Sequence, residues 1–75
     1  MNDVSSPISG RVLALHVKAG EAVQAGEPLC TVESMKMEIP IEAERGGIVA
    51  EWLIDAGAEV VEGDVVARVG WKWRP

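Results

Sequence analysis

The stretch Val17-Lys18-Ala19-Gly20-Glu21-Ala22-Val23-Gln24-Ala25-Gly26 returns 37 residues later as Ile54-Asp55-Ala56-Gly57-Ala58-Glu59-Val60-Val61-Glu62-Gly63. Each copy holds two glycines six residues apart with a valine midway between them. Glycine reaches positive φ without a steric penalty, so each pair marks two turns, and the valine can point inward while its polar neighbours stay wet. Working outward from this stretch, Gly10, Val12, Ala19, Gly20, Val23, Gly26 and Val32 fall on Gly47, Val49, Ala56, Gly57, Val60, Gly63 and Val69 without a gap. Leu15 answers to Trp52, Val17 to Ile54 and Leu29 to Val66, so apolar positions recur along with the turns. One strand-turn-strand unit is used twice.

Short Val, Ile and Leu runs punctuated by glycine indicate an all-β fold, with helix expected nowhere. The spacing of Val12, Leu15 and Val17, repeated by Val49, Trp52 and Ile54, breaks period-two alternation once in each copy, which predicts a bulge or bend there. Two units of about four short strands each, related by an approximate two-fold, would form a flattened eight-stranded barrel or sandwich with a thin valine-lined core. Residues 1–75 read as a single domain, with a core over about 7–69 and a tail over 70–75 that has no assigned role.

A chain of 75 residues buries only about 60% of the surface its unfolded form exposes. One cysteine, Cys30, and one histidine, His16, provide neither a disulfide nor a metal set, so local consistency must hold the fold. Acidic residues outnumber basic ones 12 to 7, for a net charge of -5. That balance argues against nucleic acid or an anionic membrane as partner and favours a basic protein surface. The N-terminal residues lack a cationic segment followed by an apolar one, and no apolar run approaches 18 residues, so the chain reads as soluble and cytoplasmic.

Between the two copies, Cys30 to Ser34 and Met37 to Ala43 read as strands, which leaves Met35-Lys36 as a two-residue hairpin tip. Such turns usually need positive φ at one or both central positions, which favours Asn-Gly or a glycine-containing pair. Neither is present. A Met-Lys tip accepts backbone strain of about 1 kcal/mol or more, a pattern found where the side chain itself is needed. Lys36 would then project from the end of the molecule between two flexible, polarizable methionines suited to docking.

Glu33-Ser34-Met35-Lys36-Met37 resembles the biotinyl-lysine motif of the biotin carboxyl carrier family, whose commonest form has Ala, also small, in place of Ser34. The paired glycine spacing is similar to that of biotinyl and lipoyl domains, and the likeness runs from about Pro7 to Val69. No extra loop precedes Val23, so the shorter subclass, without a protruding thumb, is the closer fit. The resemblance implies two four-stranded sheets with the modified lysine on an exposed hairpin between the halves. It further implies covalent biotin on Lys36, recognition through Met35 and Met37, and contact of Glu33 with a biotin protein ligase. That ligase presents biotinyl-adenylate to the lysine, a biotin carboxylase loads the carrier and a carboxyltransferase unloads it. The arm reaches roughly 12 Å, counting about ten bonds from the lysine Cα to the biotin ring, so the whole domain must travel between sites. No Ala-Pro-rich linker precedes the first repeat, which leaves a free-standing carrier or an excised domain as the two expectations.

Other readings stand beside this one. A lipoyl carrier, or a dual biotin and lipoyl acceptor, shares the fold, although lipoyl sites resemble Asp-Lys-Ala more than Met-Lys-Met. An unmodified interaction module would use Lys36 as a solvated hairpin lysine. Glu33 and Glu38 face each other across the turn and serve either to keep the tip soluble or to steer a basic ligase. Cys30 reads as a small buried hydrophobe and His16 as a surface strand residue, neither with a second ligand or base nearby. Trp71 and Trp73 alternate and would share one face, covering an edge or a core gap. No nucleophile with base, paired carboxylates or phosphate loop can be assembled, so the chain is expected to be a carrier component without catalytic residues.

Overall fold

Each strand of the first half has a counterpart in the second. In the computed structural model, which describes residues 2–71, the strands are β1 (Asn2–Ser5), β2 (Gly10–Leu15), β3 (Ala22–Val23), β4 (Pro28–Ser34), β5 (Met37–Glu42), β6 (Gly47–Trp52), β7 (Glu59–Val60) and β8 (Val65–Trp71). A shift of 37 residues carries β2, β3 and β4 onto β6, β7 and β8 end for end. No helix occurs among the described residues. The strands form two four-stranded antiparallel sheets in the orders β1-β8-β6-β3 and β5-β4-β2-β7. Each sheet therefore takes two strands from each half, and the two-fold relates one sheet to the other.

The glycine pairs behave as their spacing requires. Gly20, Gly26, Gly57 and Gly63 have φ of 95°, 85°, 92° and 94°. These turns also lock the halves together: the Gly20 N–H donates to the Val49 carbonyl and the Gly57 N–H to the Val12 carbonyl, both at 2.7 Å. The expected break in alternation is a register shift in each copy, between Val12 and Ala14 on β2 and between Val49 and Glu51 on β6. Valines midway between the glycines, Val23 and Val60, are buried.

The core is thin and divided. Val12, Val32, Val60 and Val66 belong to one cluster, and their repeat mates Val49, Val69, Val23 and Leu29 belong to the other. Val4 and Trp52 pack against both clusters. Trp52 stands where the first copy has Leu15, and its indole Nε1–H reaches across to donate to the Val17 carbonyl at 2.9 Å. A larger residue is thus accommodated by a hydrogen bond that satisfies its one polar atom.

Three expectations shift at their edges. Ordered structure begins before Pro7, because Asn2–Ser5 forms β1 against β8. At the other end β8 continues through Trp71, beyond the expected core limit at Val69. Trp71 is half-buried, packs on the second core cluster, and lies under the Arg45 guanidinium at 6.0 Å from the ring centroid. Trp73, its expected partner on that face, lies outside the described residues. His16 is exposed as expected but sits just past the end of β2, with Nε2 2.6 Å from the Thr31 hydroxyl. Cys30 is buried, as its place in a valine-rich strand suggests.

Candidate functional site

The hairpin joining the two copies consists of β4 and β5, with Ser34 paired to Met37, Glu33 to Glu38 and Val32 to Ile39. Met35 and Lys36 alone close it. Their φ values are 52° and 66°, the only positive ones among described non-glycine residues. A two-residue turn with both central residues left-handed matches the right-handed twist of the flanking strands, which a type I or II turn would splay. For L-residues with a Cβ that costs roughly 1–2 kcal/mol at each position.

Past Glu33 the hairpin loses its third strand. β4 is central in its sheet, between β5 and β2, but its pairing with β2 ends at Arg11 opposite Glu33. Ser34 to Met37 therefore extend beyond the sheet as a two-stranded arm, fixed at its root by the fully buried Val32. Lys36 is exposed at its end, Met35 is 92% exposed and Met37 63% exposed. Apolar side chains that much in water contribute almost nothing to the core, so the tip presents a cation between two unburied thioethers.

Charge is arranged in a row at the base of the arm. Glu38, Glu33, Arg11 and Glu59 stand side by side across β5, β4, β2 and β7, and all are exposed. Glu33 thus has a like charge on one side and the Arg11 guanidinium on the other. Among the described residues the ion pairs are those of Arg68 with Asp3 and Glu51, away from the hairpin, so the Lys36 ammonium has no carboxylate clamped to it. No set of His, Cys, Asp and Glu among the described residues is arranged to hold a metal. The Cys30 thiol, fully buried, is pushed up to about 11 by desolvation and stays protonated at neutral pH.

The tip offers a primary amine at the end of a two-residue turn, beyond the edge of the third strand. Among the described residues no carboxylate forms an ion pair with it. The tip can present the amine to another protein's active site, which suits acylation of Nζ by an activated carboxyl group. Sequence reading placed Glu33, Met35, Lys36 and Met37 together, and the structure brings them together. In the sequence Gly10 stands out only as one identity in the repeat. A Cβ built on Gly10 would lie 2.3 Å from the Glu33 carbonyl oxygen.

Comparison with known proteins adds four findings. The family described as biotin-requiring enzyme, the biotin/lipoyl group, matches residues 1–69. The Biotin/lipoyl attachment protein of Bacillus subtilis is 48% identical over 66 residues, covering 88% of this chain and 90% of the relative. The propionyl-CoA carboxylase alpha chain of Ruegeria pomeroyi is 40% identical over 60 residues, 80% of this chain but only 9% of that much longer protein. Among solved structures, the lipoyl domain of the 2-oxoglutarate dehydrogenase complex from Azotobacter vinelandii matches with a TM-score of 0.80 at 28% identity, covering 93% of this chain and 96% of that one.

Proposed function

The chain belongs to the biotin/lipoyl attachment family, and on that premise we propose that it is a biotin carboxyl carrier with Lys36 as the attachment residue. The observation that carries this reading is the strained Met35-Lys36 turn, which spends backbone energy to hold one lysine clear of the fold. Biotin is favoured over lipoate by the methionines on both sides of Lys36, which the biotinyl motif shares. A relative that is a propionyl-CoA carboxylase chain supports service to a carboxylase. The partners are then a biotin protein ligase, a biotin carboxylase and a carboxyltransferase. The second reading, a lipoyl carrier, rests on the similarity to a lipoyl domain.

In attachment, Lys36 Nζ gives up a proton to the ligase site and its lone pair attacks an adenylate-activated carboxyl carbon. The N–C bond forms as the bond to the adenylate leaving group breaks, and one positive charge is lost from the tip. Met35 and Met37 offer the partner apolar surface without rearranging the core, and Glu33 supplies a negative charge that steers a basic docking surface. Bound biotin supplies a ureido nitrogen that takes up and releases a carboxyl group. The domain contributes no acid, base or metal to that exchange in this reading. It contributes presentation.

The test is intact-mass measurement after incubation with a biotin protein ligase, ATP and biotin, in parallel with a lipoate ligase and lipoate. One biotinyl group on Lys36, mapped by peptide mass spectrometry and absent from Lys36→Ala, is the expected result. Modification at Lys18 or Lys72 overturns the site, and lipoylation without biotinylation overturns the choice of cofactor.

A further inference from the structure

Gly10 and Gly47 are repeat mates, and neither is a turn glycine. Both lie at the starts of strands, β2 and β6, where the neighbouring backbone comes too close for a side chain. A Cβ on Gly10 would sit 2.3 Å from the Glu33 carbonyl oxygen and 2.9 Å from Val32 Cγ1. One on Gly47 would sit 2.5 Å from the Gly70 carbonyl oxygen and 2.9 Å from Trp71 Cα. Ordinary contact begins at 3.4 Å, so in each case the facing strand would have to retreat by about 1 Å.

The same clash has different consequences in the two halves. On the Gly47 side the displaced segment is the end of β8, which carries no functional group in the proposed chemistry. On the Gly10 side it is Glu33, the last residue of β4 still paired to β2 and the root of the two-stranded arm that ends in Lys36. We infer that Gly10 is a positioning residue for Lys36. By lacking a Cβ it lets β2 close on β4 at the base of the arm, and so sets the direction from which the lysine is presented. This rests on the reading of Lys36 as the attachment site. Attack on an activated carboxyl within another protein's active site is sensitive to placement, and an error of about 1 Å can cost roughly a hundredfold in rate.

The pseudo-symmetry provides the control. Gly10→Ala and Gly47→Ala introduce the same strain and should lower the melting temperature by similar amounts. Ligase kinetics on Lys36, corrected for the folded fraction by circular dichroism, should separate them. Gly10→Ala is expected to lose tenfold or more in kcat/KM for biotinylation, and Gly47→Ala to stay within twofold of the unsubstituted protein. Amide resonances of Ser34 to Glu38 should shift in Gly10→Ala and not in Gly47→Ala. If Gly10→Ala is largely unfolded, Gly10→Ala with Val32→Ala relieves the side-chain clash but keeps the one with the Glu33 carbonyl, and Val32→Ala alone is its reference. Equal losses in both glycine variants, or a Gly10 variant modified at the normal rate, overturn the inference. Failure of the unsubstituted protein to be modified at Lys36 overturns the functional reading instead.

Discussion

Two residues at equivalent positions in β4 and β8 are equally buried and differ in chemistry. Cys30 and its repeat mate Ala67 are both fully buried, so a thiol is used where the other half needs only a methyl group. Desolvation raises the thiol from 9.0 to about 11. An acid whose folded value is raised disfavours ionisation in the folded state, so its contribution to stability is complete below pH 9 and declines as pH rises toward 11. Over that window the unfolded chain loses a proton that the folded chain keeps, and the loss is on the order of 2 kcal/mol. Cys30→Ala should flatten this decline, as measured by denaturant unfolding at pH 8 and pH 10.5, and Ala67 indicates that the smaller side chain fits. An identical pH slope in the variant would refute burial as the cause.

At the scale of the element, the turns carry the fold through backbone conformation alone. Gly20 and Gly57 have φ of 95° and 92°, and a Cβ on either meets nothing within 4 Å. Alanine would therefore cost the strain of positive φ and no clash, about 1 kcal/mol or more in each half, with similar values in the two. Each glycine N–H also donates across to the other half, a bond that alanine retains only by keeping the strained backbone. Denaturant unfolding of Gly20→Ala and Gly57→Ala checks this, and a neutral or stabilising effect at both would remove the argument. On the proposed function, biotinylation of the folded fraction should continue at the normal rate, since both turns lie outside the hairpin. The Met35-Lys36 turn needs the same left-handed backbone but accepts it without glycine.

Over the whole molecule the repeat is a unit of sequence and not a unit of stability. Of the six strand pairings, only β2 with β4 and β6 with β8 lie within a half. The other four, β1 with β8, β2 with β7, β3 with β6 and β4 with β5, join one half to the other. A single hairpin is marginal in water, so a half cut off from its mate keeps too little pairing to fold. Fragments 1–35 and 36–75 should each show no cooperative thermal transition by circular dichroism, and an equimolar mixture should gain strand signal. A cooperative transition in either fragment alone would contradict the interleaved sheets.

Much was legible in the chain itself, because it depends on local backbone preference. The four turn glycines, the bulge in each copy, the inward valines and the Met-Lys tip all follow from which residues tolerate positive φ and from where alternation breaks. The Glu33 to Met37 run likewise stood out because a strained turn without glycine is visible in five residues. Strand exchange between the halves was not legible, since pairing is made by peptide groups that are the same in every residue and are selected only when edges meet in space. Gly10 was hidden for a related reason. A glycine required for its φ announces itself by turn spacing, whereas one required for its missing Cβ is defined by a carbonyl 23 positions away, at Glu33, that only the folded chain brings against it.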